Sequence, residues 1–282
     1  PYDVLARAFR AAADYNRAAH PGCARLMGIQ MEGPFFSEKK KGAQNAAYLR
    51  EPDFEAFSKL FAAGNGIVRI VDVAPELPGA AEFVRKASKQ CTVSIAHTDA
   101  SYDDAVCAIE AGVTHLTHLY NAMPGIHHRK PGPIGAASER EDVIAELICD
   151  GQHVHPSAVR MAFRLFPGRI CLISDALRCC GMPDGEYELG GQPIEMKGGK
   201  ATLRGTDTLA GSSSNLLSEL QNVVAFGLPL EDAVTALTLA PARAVRLDHQ
   251  IGSLAVGKQA DLVLLNPDLT LDSVYVDGEK VR

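Results

Sequence analysis

Four residues that lie far apart in the chain could together run a hydrolysis: Glu32 in QMEGPFF, His97 in SIAHTDA, His118 in THLTHLYNAM and Asp175 in CLISDAL. One carboxylate and two imidazoles are a sufficient ligand set for a catalytic divalent cation, with water in the remaining position. Asp175 is then left over as a candidate base. Each of the four closes a short apolar run, and in a parallel α/β barrel the loops that follow the strands line the mouth and carry the chemistry. A single histidine or glutamate at a strand end is more often a hydrogen-bonded surface or core residue than a ligand. Four at four strand ends multiply poorly as coincidence.

The other candidates have plainer readings. His115 faces away from His118, because side chains alternate along a strand, and is expected to pack. His127, His128 and His155 lie in polar loop text and read as surface residues, while His20 and His249 have no motif around them. Lys39, Lys40 and Lys41 read as a solvated face. The adjacent Cys179 and Cys180 read as small apolar fillers near a loop.

The elements that must position these residues follow a βαβ rhythm, the mark of a parallel sheet. Apolar, β-branched runs suggest strands at 26–32, 67–73, 92–97, 113–118, 143–149 and 169–175. Helical spacing occupies intervening segments such as 78–89, 102–110 and 156–166. The glycine-rich text around 185–209 breaks the rhythm and predicts a β-hairpin insertion. Helical patterns return at 213–226 and 230–239. The last stretch, 251–282, reads as strand again and as part of a small β domain beside a barrel spanning 1–250.

The 282 residues are 46% hydrophobic and 22% charged, the composition of a soluble globular chain. No apolar run approaches the roughly 18 residues that span a bilayer. The amino terminus reads as an amphipathic helix rather than a signal peptide. A net charge of −6 gives no electrostatic reason to bind nucleic acid or an anionic membrane, yet leaves room for an anionic small substrate held by local donors. Seven cysteines without a compact framework point to a reducing compartment, so a cytoplasmic location is expected.

Taken in order, MEGPF, KKGAQN, AHTDA, HLYNAMPGIHHRKPGPIGA, DGQHVHP, SDAL with a following PDG, LAGSS and the closing GSLAVGKQADLVLL resemble the N-acetylglucosamine-6-phosphate deacetylases of the amidohydrolase superfamily. The resemblance runs from about Met27 to the carboxyl terminus. It implies a (β/α)8 TIM-type barrel with a small β-sandwich domain, and hydrolysis of N-acetylglucosamine 6-phosphate to glucosamine 6-phosphate and acetate. It assigns Glu32, His97 and His118 to one divalent metal ion, commonly zinc or iron, and Asp175 to general base and then general acid. Asn121, Ala122 and Arg129 match a loop that handles the sugar phosphate, the arginine reaching across a homodimer interface into the neighbouring site. His153 matches a histidine that contacts the sugar ring, and Leu209 lies by the acetyl pocket.

Two departures stand out. Gln44 occupies the place of a histidine that bonds the substrate carbonyl, and glutamine cannot carry a positive charge, so slow turnover is expected. The runs also supply only strands three to eight of the barrel; the His-x-His motif of the first strand and the opening half of the small β domain are absent, so upstream sequence is expected. Two alternatives stay open: a different amidohydrolase reaction, and a silent relative that binds sugar phosphate without turnover.

Overall fold

Six of the apolar runs become strands of one parallel sheet in sequential order: β1 (Ile29–Met31), β2 (Val68–Val73), β3 (Thr92–Ile95), β4 (His115–Leu116), β5 (Ile144–Leu147) and β6 (Ile170–Leu172). The computed structural model describes the whole chain, residues 1–282. Helix α1 (Tyr2–Arg17) precedes β1, and α2 (Phe54–Ala63), α3 (Ala80–Ala87), α4 (Tyr102–Ala111), α5 (Gly132–Ser138) and α6 (Pro156–Leu165) fill the five crossovers.

The sheet is curled. Strands three places apart in a flat sheet would lie about 14 Å apart. Yet the Gln30 amide on β1 donates to Thr117 Oγ1, just past β4, at 3.1 Å. The result is six consecutive units of a (β/α)8 barrel, with β1 and β6 as its edges.

Five of the six strands end earlier than their apolar runs suggest, β2 alone running to Val73 as expected, and for three of them the reason is local. His97, His118 and Asp175 have φ of +44°, +31° and +46°. That left-handed turn costs a residue with a Cβ about 1–2 kcal/mol and breaks the ladder. His97 and His118 therefore sit two residues past their strands and Asp175 three past β6, while Glu32 lies one residue past β1.

The core lies between the sheet and its helices. Helix α3 shows the pattern: Ala80, Phe83, Val84 and Ala87 are buried at the i, i+3, i+4, i+7 spacing of one helical stripe. Phe83 meets Phe35 and Phe57 at ring-centroid distances of 4.9 and 5.6 Å. His115 packs as expected, wholly buried with Nδ1 3.0 Å from Ser94 Oγ, and burial pushes its pKa down to about 3.

The insertion after β6 is larger than one hairpin. It is an antiparallel meander of β7 (Gly185–Leu189), β8 (Gln192–Lys197) and β9 (Lys200–Leu203). Both turns are glycine pairs with φ positive at each residue, 57° and 83° at Gly190 and Gly191, 57° and 77° at Gly198 and Gly199. Only a residue without Cβ takes two such positions readily, which is why a pair of them closes a tight hairpin. Cys179 packs against Ile194, Met196, Ala201 and Ala210 in a small core beneath this sheet.

Helices α7 (Leu216–Ala225), α8 (Leu230–Leu237) and a short α9 (Leu239–Ala244) follow, then the antiparallel strands β10 (Leu262–Leu265), β11 (Leu271–Val276) and β12 (Glu279–Lys280). Arg25, in the loop before β1, ties that last sheet down through Asp261, Asp277 and Gln259. No helix is long and apolar enough to cross a membrane.

Candidate metal centre and substrate cavity

The turns after β1, β3 and β4 bring three donor groups together. Glu32 Oε1 lies 3.0 Å from His97 Nε2 and 3.3 Å from His118 Nε2, and the two imidazole nitrogens are 3.1 Å apart. Four donors about 2.0–2.1 Å from a tetrahedral cation would be about 3.3–3.4 Å from one another, so these three edges are close to one face of such a shell. The residues present therefore fit a divalent cation.

Several contacts hold this face in place. The Nδ1–H of His97 donates to the Lys40 carbonyl at 2.8 Å; a carbonyl only accepts, so Nε2 is left with its lone pair toward Glu32. Phe36 stacks on the same ring, centroids 4.3 Å apart. Glu76 accepts from the Thr98 hydroxyl and from the Asp99 N–H, clamping the turn after His97. A capping box at Ser101 and Asp104 then starts α4. On the His118 side, the Asn121 amide donates to the carbonyls of His118 and Leu119, both at 3.2 Å. Glu146 accepts the His118 N–H at 3.3 Å from below. His118 Nδ1 is buried without a partner, so the protein fixes the tautomer of His97 alone.

The charges are unevenly shared. Burial disfavours ionised Glu32, but hydrogen bonds and charge from His118 and His97 outweigh it and hold the carboxyl well below its ordinary range. The reciprocal effect lifts His118 to about 9 against the pull of burial. Asp175 moves the other way: burial and the charge of Glu32 push it up to about 6, against the opposing influence of His118, His153 and His97. A carboxylate near that value can both take and return a proton near neutral pH. Burial also lifts Glu146 to about 7.

All four residues line one cavity of about 350 Å³, together with Gln44, Asn121, Ala122, His153 and Leu209. Arg129 does not join them. Its side chain is exposed, with Nη1 2.6 Å from His128 Nε2. Lys39 and Lys40 do reach the rim, although their run reads as a solvated face; Lys39 also pairs with Asp99 at 3.0 Å.

Other residues here escaped the sequence reading. The Lys40 carbonyl has no sequence signal, being main chain. Glu146 had one, as an acid inside the apolar text IAELIC. Gly211 also had one, as the glycine of LAGSS: its φ is +51°, and a Cβ there would stand 2.7 Å from the Asp175 carbonyl.

With this geometry in place, comparison with known proteins is informative. The Amidohydrolase family profile matches residues 5–281, and the chain belongs to that family. Within it, the chain is 36% identical over 281 residues to an N-acetylglucosamine-6-phosphate deacetylase of Vibrio furnissii, covering 98% of this chain and 70% of the relative. It is 34% identical to an N-acetylgalactosamine-6-phosphate deacetylase of Escherichia coli O157:H7, covering 99% and 74%. A variant N-acetyl-D-glucosamine-6-phosphate deacetylase of Mycobacterium smegmatis, solved in complex with N-acetyl-D-glucosamine-6-phosphate, superposes with a TM-score of 0.91 at 37% identity, over 99% of this chain and 74% of that one. These relatives make the chain a homologue of the amino-sugar-phosphate deacetylases with an incomplete barrel.

Proposed function

We propose that this chain hydrolyses the acetamide of N-acetylglucosamine 6-phosphate, giving glucosamine 6-phosphate and acetate. The convergence of Glu32, His97 and His118 within 4.8 Å of one another, in a cavity shared with Asp175, carries the reading. Similarity along nearly the whole chain to deacetylases of this substrate class supports it.

Glu32, His97 and His118 would hold one divalent cation, zinc or iron(II) by the nature of the donors. When bound, such a cation supplies Lewis acidity, making water nucleophilic at neutral pH and drawing electron density from the amide carbonyl. Asp175 takes the proton from the attacking water and delivers it to the departing nitrogen, which leaves poorly unless protonated. Gln44 donates an amide N–H to the carbonyl oxygen as it gains charge. Ile148, Leu177 and Leu209 give the cavity an apolar wall suited to the acetyl methyl. Lys39 and Lys40 give the rim positive charge suited to phosphate. Arg129, outside its own cavity, is assigned to the phosphate in a second copy of the chain, its planar fork matching two oxygens.

One preparation tests this. Its bound metal is measured by elemental analysis, and acetate release is followed with the 6-phosphates of N-acetylglucosamine and N-acetylgalactosamine. Near-stoichiometric metal with acetate release, both lost in Glu32→Ala, is the expected result. Turnover that survives loss of the metal would overturn it, and release only from the galacto substrate would reassign the sugar.

A further inference from the structure

The cavity holds one more arrangement that the reaction as described leaves unused. His153 presents its ring to the cavity from the loop after β5, and behind it, outside the cavity, lies Asp150. Both side chains are 6% exposed. Asp150 Oδ2 is 2.8 Å from His153 Nδ1, while Oδ1 accepts the main-chain N–H of Gln152 at 2.8 Å and of His153 at 2.9 Å. Both carboxylate oxygens are thereby committed to the loop and the ring.

Helix α7 steadies the base of the loop. The Glu219 carboxylate accepts the N–H of Cys149, and Asn222, one turn on, donates its amide to the Cys149 carbonyl at 2.9 Å. Both main-chain polar groups of the residue before Asp150 are therefore held by one helix face. The loop cannot shift Asp150 without breaking bonds to a helix packed in the main core.

From this geometry we propose that Asp150 is a positioning residue for the ring that the resemblance already sets against the sugar: it holds the proton of His153 on Nδ1, so that Nε2 faces the cavity as a lone pair able to accept from a hydroxyl of the bound sugar phosphate. A carboxylate can only accept, so the ring must donate through Nδ1, and the other nitrogen of a neutral imidazole is then a lone pair. Such an acceptor suits a sugar hydroxyl, which brings a proton, and not a phosphate oxygen, which brings none. The inference rests on the proposed substrate class for its second half; the state of the ring stands independently of it.

Nitrogen-15 NMR of the metal-loaded protein at pH 8, with His153→Gln used to assign the ring, tests the positioning alone. The expected result is a neutral His153 protonated at Nδ1. A ring protonated at Nε2, or still doubly protonated at that pH, overturns the inference whatever the enzyme turns over.

Kinetics with N-acetylglucosamine 6-phosphate tests the rest. Asp150→Asn is expected to move the proton to Nε2, as when asparagine replaces the aspartate behind a catalytic histidine. KM should rise by about tenfold or more while kcat changes less, the scale of effect seen when a partner behind a functional histidine is lost. Added to His153→Gln, the same change should cost nothing further, because its route of action is gone. An equal loss on both backgrounds would show that Asp150 only holds the loop and would overturn the proposal.

Discussion

The main-chain carbonyl of Lys40 accepts the Nδ1 proton of His97 at 2.8 Å, and that one bond decides which nitrogen meets Glu32. The bond depends on a tight turn two residues on, where Gly42 has a φ of +55°, a conformation that a residue with a Cβ adopts only at a cost. Gly42→Ala is therefore expected to shift the turn, and with it the Lys40 carbonyl, and to weaken cation binding by about tenfold, the lower end of what disturbing a ligand's outer partner costs. Titration against a chelator of known affinity measures this. Unchanged affinity would show that the turn yields without moving the ring.

Asp175 is held near a pKa of about 6 by burial and by Glu32, which suits a group that must both accept and release a proton. Asp175→Asn keeps the shape and removes the base. Turnover should fall by about 10²–10⁴-fold, the usual span for a positioned acid–base group, with little change in KM. Steady-state kinetics checks this, and a loss confined to KM would assign Asp175 to binding instead.

Gln44 lines the same cavity but cannot bring positive charge to a developing oxyanion. Gln44→His should raise kcat, by up to about 100-fold if the new ring reaches the carbonyl oxygen, since one such donor is commonly worth 10²–10³. If kcat stays where it is, the amide already serves as well as an imidazole would.

Glu219 provides a test of stability and not of catalysis. It is fully buried, Oε1 lacks a partner, and burial raises its pKa from 4.5 to about 7. Below pH 4.5 the group is protonated folded and unfolded alike, and it costs nothing. As pH climbs from there toward 7, the unfolded chain releases the proton while the folded one keeps it, so stability declines across that window. The share due to this group is on the order of 2–3 kcal/mol. Urea unfolding at pH 5 and pH 8 should show that decline, and Glu219→Gln should remove about that much of it. An identical pH dependence in the variant would show that Glu219 ionises freely in the fold.

The amino-acid sequence carried a great deal of this. β-Branched runs placed all six sheet strands in order, and Glu32, His97, His118 and Asp175 stood out because reactive side chains at the ends of apolar runs are conspicuous. What it concealed was conformational. Nothing in the letters shows that His97, His118 and Asp175 adopt left-handed backbone, so their three strands were read too long. The grip of Lys40 on His97 is made by a carbonyl, which every residue possesses, and no residue type can flag it. The second turn of the insertion was legible in MKGGKA, where the glycine pair repeats the chemistry of the first. Asp150 was legible in DGQHVHP, but its importance depends on a 2.8 Å contact that spacing alone does not specify. Arg129 illustrates the opposite case: a residue type suited to phosphate, exposed beside His128 and absent from the lining of its own cavity.

The clamp that Glu76 places on the Thr98 hydroxyl and the Asp99 N–H ties the loop after β2 to the loop after β3. A side chain remote from the reacting atoms thereby shares in placing His97, and the two loops should answer a displacement as one body rather than as separate neighbours.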